Sequence, residues 1–137
     1  MLKYIIYEQP FTTIYSIHSK IILKHHITYV INQMLHQYYN DLNSYIKNYK
    51  KMISNTYHIP IFINAQTALI VVYGYRNTYN LAINVFSIKH LQHLQGMCQI
   101  IFDNDSIMVQ KSCKYLKKMI EHAKHIHTKL LENIFIG

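Results

Sequence analysis

The sequence predicts an α+β fold: a mostly antiparallel sheet of about six to eight strands with two long amphipathic helices. Three observations carry this. Short apolar, β-branched runs recur with turn residues between them. Two segments switch to a 3.6-residue apolar period. No repeat, linker or low-complexity stretch interrupts the 137 residues, a length that suits a single domain over residues 1–137. A domain of this size buries roughly two-thirds of its unfolded surface, enough for a core without staples.

The elements follow in order. Residues 2–7, LKYIIY, and 11–17, FTTIYSI, are strand-like, and Pro10 separates them. KIIL at 20–23 is a third short strand. From Thr28 to about Ile53 the period becomes helical: Ile27, Val30, Ile31, Met34, Leu35, Tyr38, Leu42, Tyr45, Ile46, Tyr49 and Ile53 form one stripe. His36, Asn40, Asn43, Lys47, Lys50 and Lys51 take the opposite face, and the basic end suits a helix C-terminus. The low propensity of asparagine makes Asn40–Asn43 the weak point of this helix. IPIFIN (59–64), TALIVVYGY (67–75) and LAINVFSI (81–88) are three further strands, with NAQ as a tight link and RNTYN as a turn. KHLQHLQG connects to MCQIIF (97–102), and DND turns the chain into SIMVQ (106–110). Ser112 is placed to N-cap the last helix. Its apolar stripe is Leu116, Met119, Ile120, Ala123, Ile126, Leu130, Leu131 and Ile134.

Charge narrows the partners. Fourteen Lys and Arg face six Asp and Glu, a net charge of +8. A compact surface of that sign favours polyanions, nucleic acid first and an anionic membrane second. The basic charge concentrates in KKMIEHAKHIHTK, residues 117–129. On a helical wheel Lys114, Lys117, Lys118, His122, His125 and Lys129 fall within about 140°, opposite the apolar centre line. Glu121 is the acid among them, spaced to pair with Lys117 or His125, and His127 falls near the apolar side. Lys47, Lys50 and Lys51 add a second basic stretch. Arg76 sits in the turn YGYRNTYN among Tyr73, Tyr75 and Tyr79, a setting that suits phosphate or a minor groove. The candidate DNA contacts are therefore Lys47, Lys50, Lys51, Arg76, Lys114, Lys117, Lys118 and Lys129.

Other chemistry finds little footing. His122 and His125 have helical ligand spacing, but no HExxH, Cys/His cluster or carboxylate pair accompanies them, so no metal is expected. His25-His26 and His90-x-x-His93 are equally isolated. There is no G-x-S-x-G, no P-loop and no Gly-rich nucleotide fingerprint, so neither an enzyme nor a cofactor is expected. Cys98 and Cys113 form no C-x-x-C and lie inside apolar patterns, which predicts two reduced, inert thiols of a cytoplasmic protein. The opening MLKYIIYEQPF has neither the charge nor the apolar length of a signal peptide or a membrane span. Abundant Ile, Asn, Lys and Tyr without Trp fit AT-rich codons and a low-GC genome.

The stretch from Ser54 to about His122 carries a resemblance. ISNTYHIPIFINAQTALIVVYG, then NLAINVFSIKHLQHLQGMCQIIFDNDSIMVQKSCKYLKKMIEH, resembles the ComK family of competence transcription factors. The shared features are a Ser before a Pro-Ile strand, an NxxxNVxxI strand, a Cys-initiated strand, an N-D-S-I hairpin and a Ser-capped helix. LHQYYNDLNSYIKNYKK (35–51) is similar to the family's upstream segment more loosely. The matching positions are Tyr38, Tyr39, Tyr45, Lys47, Ser54, Pro60 and Ile61. The resemblance implies a cytoplasmic, non-enzymatic activator of DNA-uptake genes. It would bind paired AT-rich boxes of double-stranded DNA largely through the minor groove, as a homodimer or higher oligomer, with no membrane partner. The chain departs from the family pattern at His36, Asn40 and Ile46, at Val72-Tyr73-Gly74, and at Ala82, near which a tryptophan is expected. It also lacks the extended C-terminal tail associated with regulated proteolysis. These departures frame an alternative: a regulatory paralogue that does not bind DNA and acts on a full-length ComK relative or its proteolytic adaptor.

Overall fold

The computed structural model describes residues 1–37, 41–52 and 59–136, with 49–52 and 132–136 as backbone. It has the α+β, antiparallel architecture expected. Six strands, β1 (Leu2–Glu8), β2 (Phe11–Ser16), β3 (Lys20–Leu23), β4 (Ile61–Asn64), β5 (Thr67–Val71) and β6 (Tyr79–Asn84), form one antiparallel sheet in the order β3-β2-β1-β6-β5-β4. Three more, β7 (His90–Leu94), β8 (Met97–Ile101) and β9 (Ser106–Val109), form a second antiparallel sheet. The helices are α1 (Ile27–His36), α2 (Leu42–Met52) and α3 (Cys113–Ile136).

Strand periodicity sorts the large sheet's side chains onto two covered faces. On one face Ile5, Tyr7, Leu69, Val71 and Ala82 meet Ile27, Val30, Ile31 and Leu35 of α1 and Leu42 and Tyr45 of α2. On the other, Tyr4, Ala68, Ile70, Leu81 and Ile83 meet Leu116, Met119, Ile120 and Ala123 of α3 and Cys98, Ile100 and Val109 of the small sheet. A strand covered on both sides reads as a continuous apolar run rather than an alternation, which is why TALIV is buried at all five positions.

Four expectations are corrected. The helix expected from Thr28 to Ile53 is two. Asp41 starts the second, its carboxylate accepting from the Ser44 amide and hydroxyl, both at 2.9 Å. Asn32 Oδ1 accepts the Leu42 amide at 2.7 Å, closing the corner. Tyr38, Tyr39, Asn40, Ile53 and Ser54 lie outside the described residues. The strand expected to run to Ile88 stops at Asn84, where the chain makes a 3₁₀ turn over Val85–Ser87. HLQHL, expected as a connection, is strand β7, turned into β8 by Gln95 (φ 51°) and Gly96 (φ 77°), the left-handed pair of a tight hairpin. Cys98 and Cys113, expected as thiols, are joined in a disulfide with Cα atoms 5.0 Å apart. The β8–β9 hairpin returns the chain so that the start of α3 meets β8.

The hairpin tip is latched to β1. Asp105 Oδ2 accepts from the Tyr4 hydroxyl at 2.6 Å and from Lys3 Nζ at 3.0 Å, while buried Oδ1 has no hydrogen-bond partner among the described residues. Burial pushes the Asp105 carboxyl up, but the Tyr4 and Lys3 hydrogen bonds and the lysine's charge outweigh it and hold the group below the ordinary carboxylate range. A depressed carboxylate stabilises the fold above its unfolded pKa, about 4, and that stabilisation is lost as pH falls through the folded value. Acid titration of Asp105→Asn should therefore show a smaller loss of stability below about pH 4 than the native chain. Equal losses in the two would show that the latch contributes nothing to acid sensitivity.

Candidate nucleic-acid interface

The helix that presents the basic face is fixed at its start. Ser112 Oγ accepts the Tyr115 amide at 3.1 Å and its carbonyl accepts the Leu116 amide at 3.1 Å, the N-cap expected. Leu116, Ala123 and Ile126 are buried, so Lys114, Lys117, Lys118, Lys124, His125 and Lys129 face solvent. At 1.5 Å per residue, Lys114 to Lys129 covers about 22 Å, roughly six base-pair rises of duplex. His127 is buried as its wheel position predicts. Its Nε2–H donates to the Asn64 carbonyl at 2.9 Å, and its ring lies between Phe62 and Phe86. Burial, with His125 close by, pushes the half-buried His122 imidazole below its ordinary range.

The turn that carries Arg76 is built by asparagine. Asn80 Oδ1 accepts the Tyr73 amide at 3.1 Å, and its Nδ2 donates to the Tyr73 and Gly74 carbonyls at 3.0 and 3.1 Å. Asn77 donates its backbone and side-chain N–H to the Gly74 carbonyl. Arg76 and Tyr79 are exposed on this loop. Burial, with Tyr73 and Glu8 nearby, raises the Tyr79 phenol, and burial pushes Tyr75 up to about 12, so both are neutral at physiological pH.

The structure joins this loop to α3. Tyr73 Oη accepts the Gln110 amide at 3.1 Å. Lys111 Nζ lies 5.8 Å from the Tyr73 ring centre and 5.4 Å from that of Tyr115. Lys111 is thus held between two tyrosines at the start of α3, beside the exposed Lys114 and Lys118 of that helix, and Arg76 is exposed on the loop that Tyr73 ties to it. Lys111 and Lys124 escaped the sequence-based selection. Lys111 precedes a capping serine with nothing local to mark its aromatic cage, and Lys124 differs from its neighbours only in leaning towards β7. There Lys89, Lys117 and Lys124 rim a shallow groove of about 430 Å³ floored by Ile88, Leu91 and Ile120.

Lys47 is exposed on α2, whose buried residues pack on the sheet face opposite α3. The predicted basic positions therefore divide between two layers rather than forming one surface. The side chains of Lys50 and Lys51 lie outside the described residues. Among the described residues the carboxylate ion pairs are Lys3–Asp105 and Lys89–Asp103. Among the described residues Glu121 forms no ion pair with Lys117 or His125, although it lines the same groove as Lys117 and Lys124. The described residues contain no group of three His, Cys, Asp or Glu placed to hold a metal, and no helix among them is long and apolar enough to cross a membrane. No protein-family model matches the chain, and neither a curated protein nor a solved structure matches it.

Proposed function

We propose that this protein binds double-stranded DNA as a cytoplasmic transcriptional activator of DNA-uptake genes, through AT-rich sites approached from the minor groove. The observation that supports the DNA-binding part is that Lys111 is held between Tyr73 and Tyr115 at the start of α3, the exposed lysines of α3 continue the row to Lys129, and Arg76 lies on the loop tied to that start, with no carboxylate ion pair to these cations among the described residues. Cations left unpaired on a rigid helix can neutralise phosphates at little reorganisation cost, and the narrow, electronegative groove of AT-rich DNA attracts such charge by shape. The activator role and the AT preference rest on the resemblance to the ComK family. In this reading the protein acts by binding and uses no catalysis.

Fluorescence anisotropy on AT-rich and GC-rich duplexes of equal length, at two salt concentrations, tests this. The native chain should prefer the AT-rich duplex at both. Lys114→Ala/Lys118→Ala/Lys129→Ala should weaken binding at least about tenfold and lower the salt slope by roughly 2–3, since each phosphate contact contributes about 0.9. Lys47→Ala, on the other layer, should change neither. Equal weak binding to both duplexes that vanishes with salt would leave only nonspecific charge. It would favour the alternative, a paralogue acting by contact with a full-length relative.

A further inference from the structure

In the small sheet β7 is an edge strand, and among the described residues its only strand partner is β8. The Gln95–Gly96 turn makes Leu94 and Met97 a hydrogen-bonded pair, so bonded and non-bonded pairs alternate back along the strand. Gln92 is bonded to Gln99, and His90 to Ile101, whose carbonyl also accepts the Lys89 amide at 2.8 Å. The amides and carbonyls of Leu91 and His93 therefore point away from β8, and no hydrogen bond among the described residues takes them up.

Leu91 also lines the groove between β7 and α3. Ile88 and Ile120 complete its apolar floor, and Lys89, Lys117 and Lys124 stand around it with Glu121. Three lysines against one glutamate leave the rim positive. Lys89 Nζ lies 3.5 Å from Asp103 Oδ1, with both side chains more than half exposed, so a second carboxylate can displace this pair at little cost. The lining runs along residues 88–91 as extended chain and 117–124 as helix, each covering about 10 Å. A phosphate backbone would use the cations but neither the apolar floor nor the open amides, whereas an extended peptide uses all three. We infer that this groove takes an extended acidic peptide from a partner protein, added to the β7 edge as a fourth strand of the small sheet. One apolar side chain of the peptide rests on Leu91 and Ile120. The residues two positions before and after it share its face, and as carboxylates they reach Lys117 and Lys124.

The inference stands apart from DNA binding, and its first arms contain no DNA. A fluorescein-labelled peptide of the required pattern, GTDTLTDTG, is titrated with the native chain and followed by anisotropy. It should bind saturably with a Kd below about 1 mM, and the same peptide with lysine in place of both acids should not bind. Lys117→Glu/Lys124→Glu changes exposed side chains only, so it should stay folded, weaken the acidic peptide at least about tenfold and accept the lysine peptide instead. Amide hydrogen exchange resolved by NMR reads the strand addition directly. The acidic peptide should slow exchange at Leu91 and His93, the outward amides, and leave Gln92, already bonded to β8, unchanged. No saturable binding, binding that the double reversal leaves intact, or binding without slowed exchange at Leu91 and His93 overturns the proposal. An AT-rich duplex that displaces the peptide and itself slows those two amides would assign the groove to nucleic acid, and overturns it too.

Discussion

Replacing Asn84 by alanine is expected to lower the unfolding free energy by about 3–5 kcal/mol, a large share of the roughly 5–15 kcal/mol that holds a domain together. The side chain is fully buried and its polar capacity is used. Oδ1 accepts the Ala68 amide at 3.2 Å and the Phe86 amide at 3.3 Å. Nδ2 donates to the Leu2 carbonyl at 2.9 Å, the Gln66 carbonyl at 3.2 Å and Ser87 Oγ at 3.3 Å. One residue thus ties β1, the β4–β5 turn, β5 and the 3₁₀ turn after β6. Truncation would strand several buried groups without water to replace the lost partners. Urea denaturation of the alanine and aspartate variants measures this. Aspartate keeps the acceptor and loses the donor, so it should also destabilise. An alanine variant within about 1 kcal/mol of native would mean that these bonds contribute only the ordinary net value of a single hydrogen bond.

Opening the Cys98–Cys113 disulfide should cost about 3 kcal/mol, from the chain freedom that the 15-residue separation regains in the unfolded state. For a chain of this length that corresponds to a fall in Tm of about 10 °C. The loss should centre on the start of α3, because Cys113 opens that helix beside Lys111 and Lys114. Calorimetry with and without a dithiol, alongside Cys113→Ser, gives the value. Alkylating the protein at harvest and weighing it shows whether the bond is closed in the cell. Disulfides are rare in reducing compartments, so a closed bond would count against the proposed cytoplasmic location.

Much of this architecture was legible because local rules and tertiary demands agree. The NAQ and DND links, the Ser112 cap and the buried side of α3 follow from turn chemistry and a clean 3.6-residue stripe. The misjudged elements share one physical origin, a local pattern overridden by a partner distant in sequence. The stripe of Ile27 to Ile53 continues through the corner at Asp41, because α1 and α2 bury their apolar sides on the same sheet face. HLQHL lacks β-branched residues, and its pairing comes from β8. Asn80 and Asn84, which mark the NxxxNVxxI pattern, serve the backbone. Nothing local in the sequence reveals the five partners that Asn84 serves. The candidate interface was legible in charge and not in extent. Wheel geometry identifies α3's exposed face, but the tie between the loop that carries Arg76 and the start of α3 depends on the Tyr73–Gln110 contact across 37 residues.

The hydrogen bonds at β4 also bear on self-association. A sheet with open edges can add copies and grow without limit, the route to fibres. Tyr45 Oη, from one layer, donates to the Pro60 carbonyl and accepts the Phe62 amide, and His127, from the other, donates to the Asn64 carbonyl. The edge strand β4 is thus occupied from both layers, and Tyr45 and His127 act as stoppers against growth at that end of the sheet.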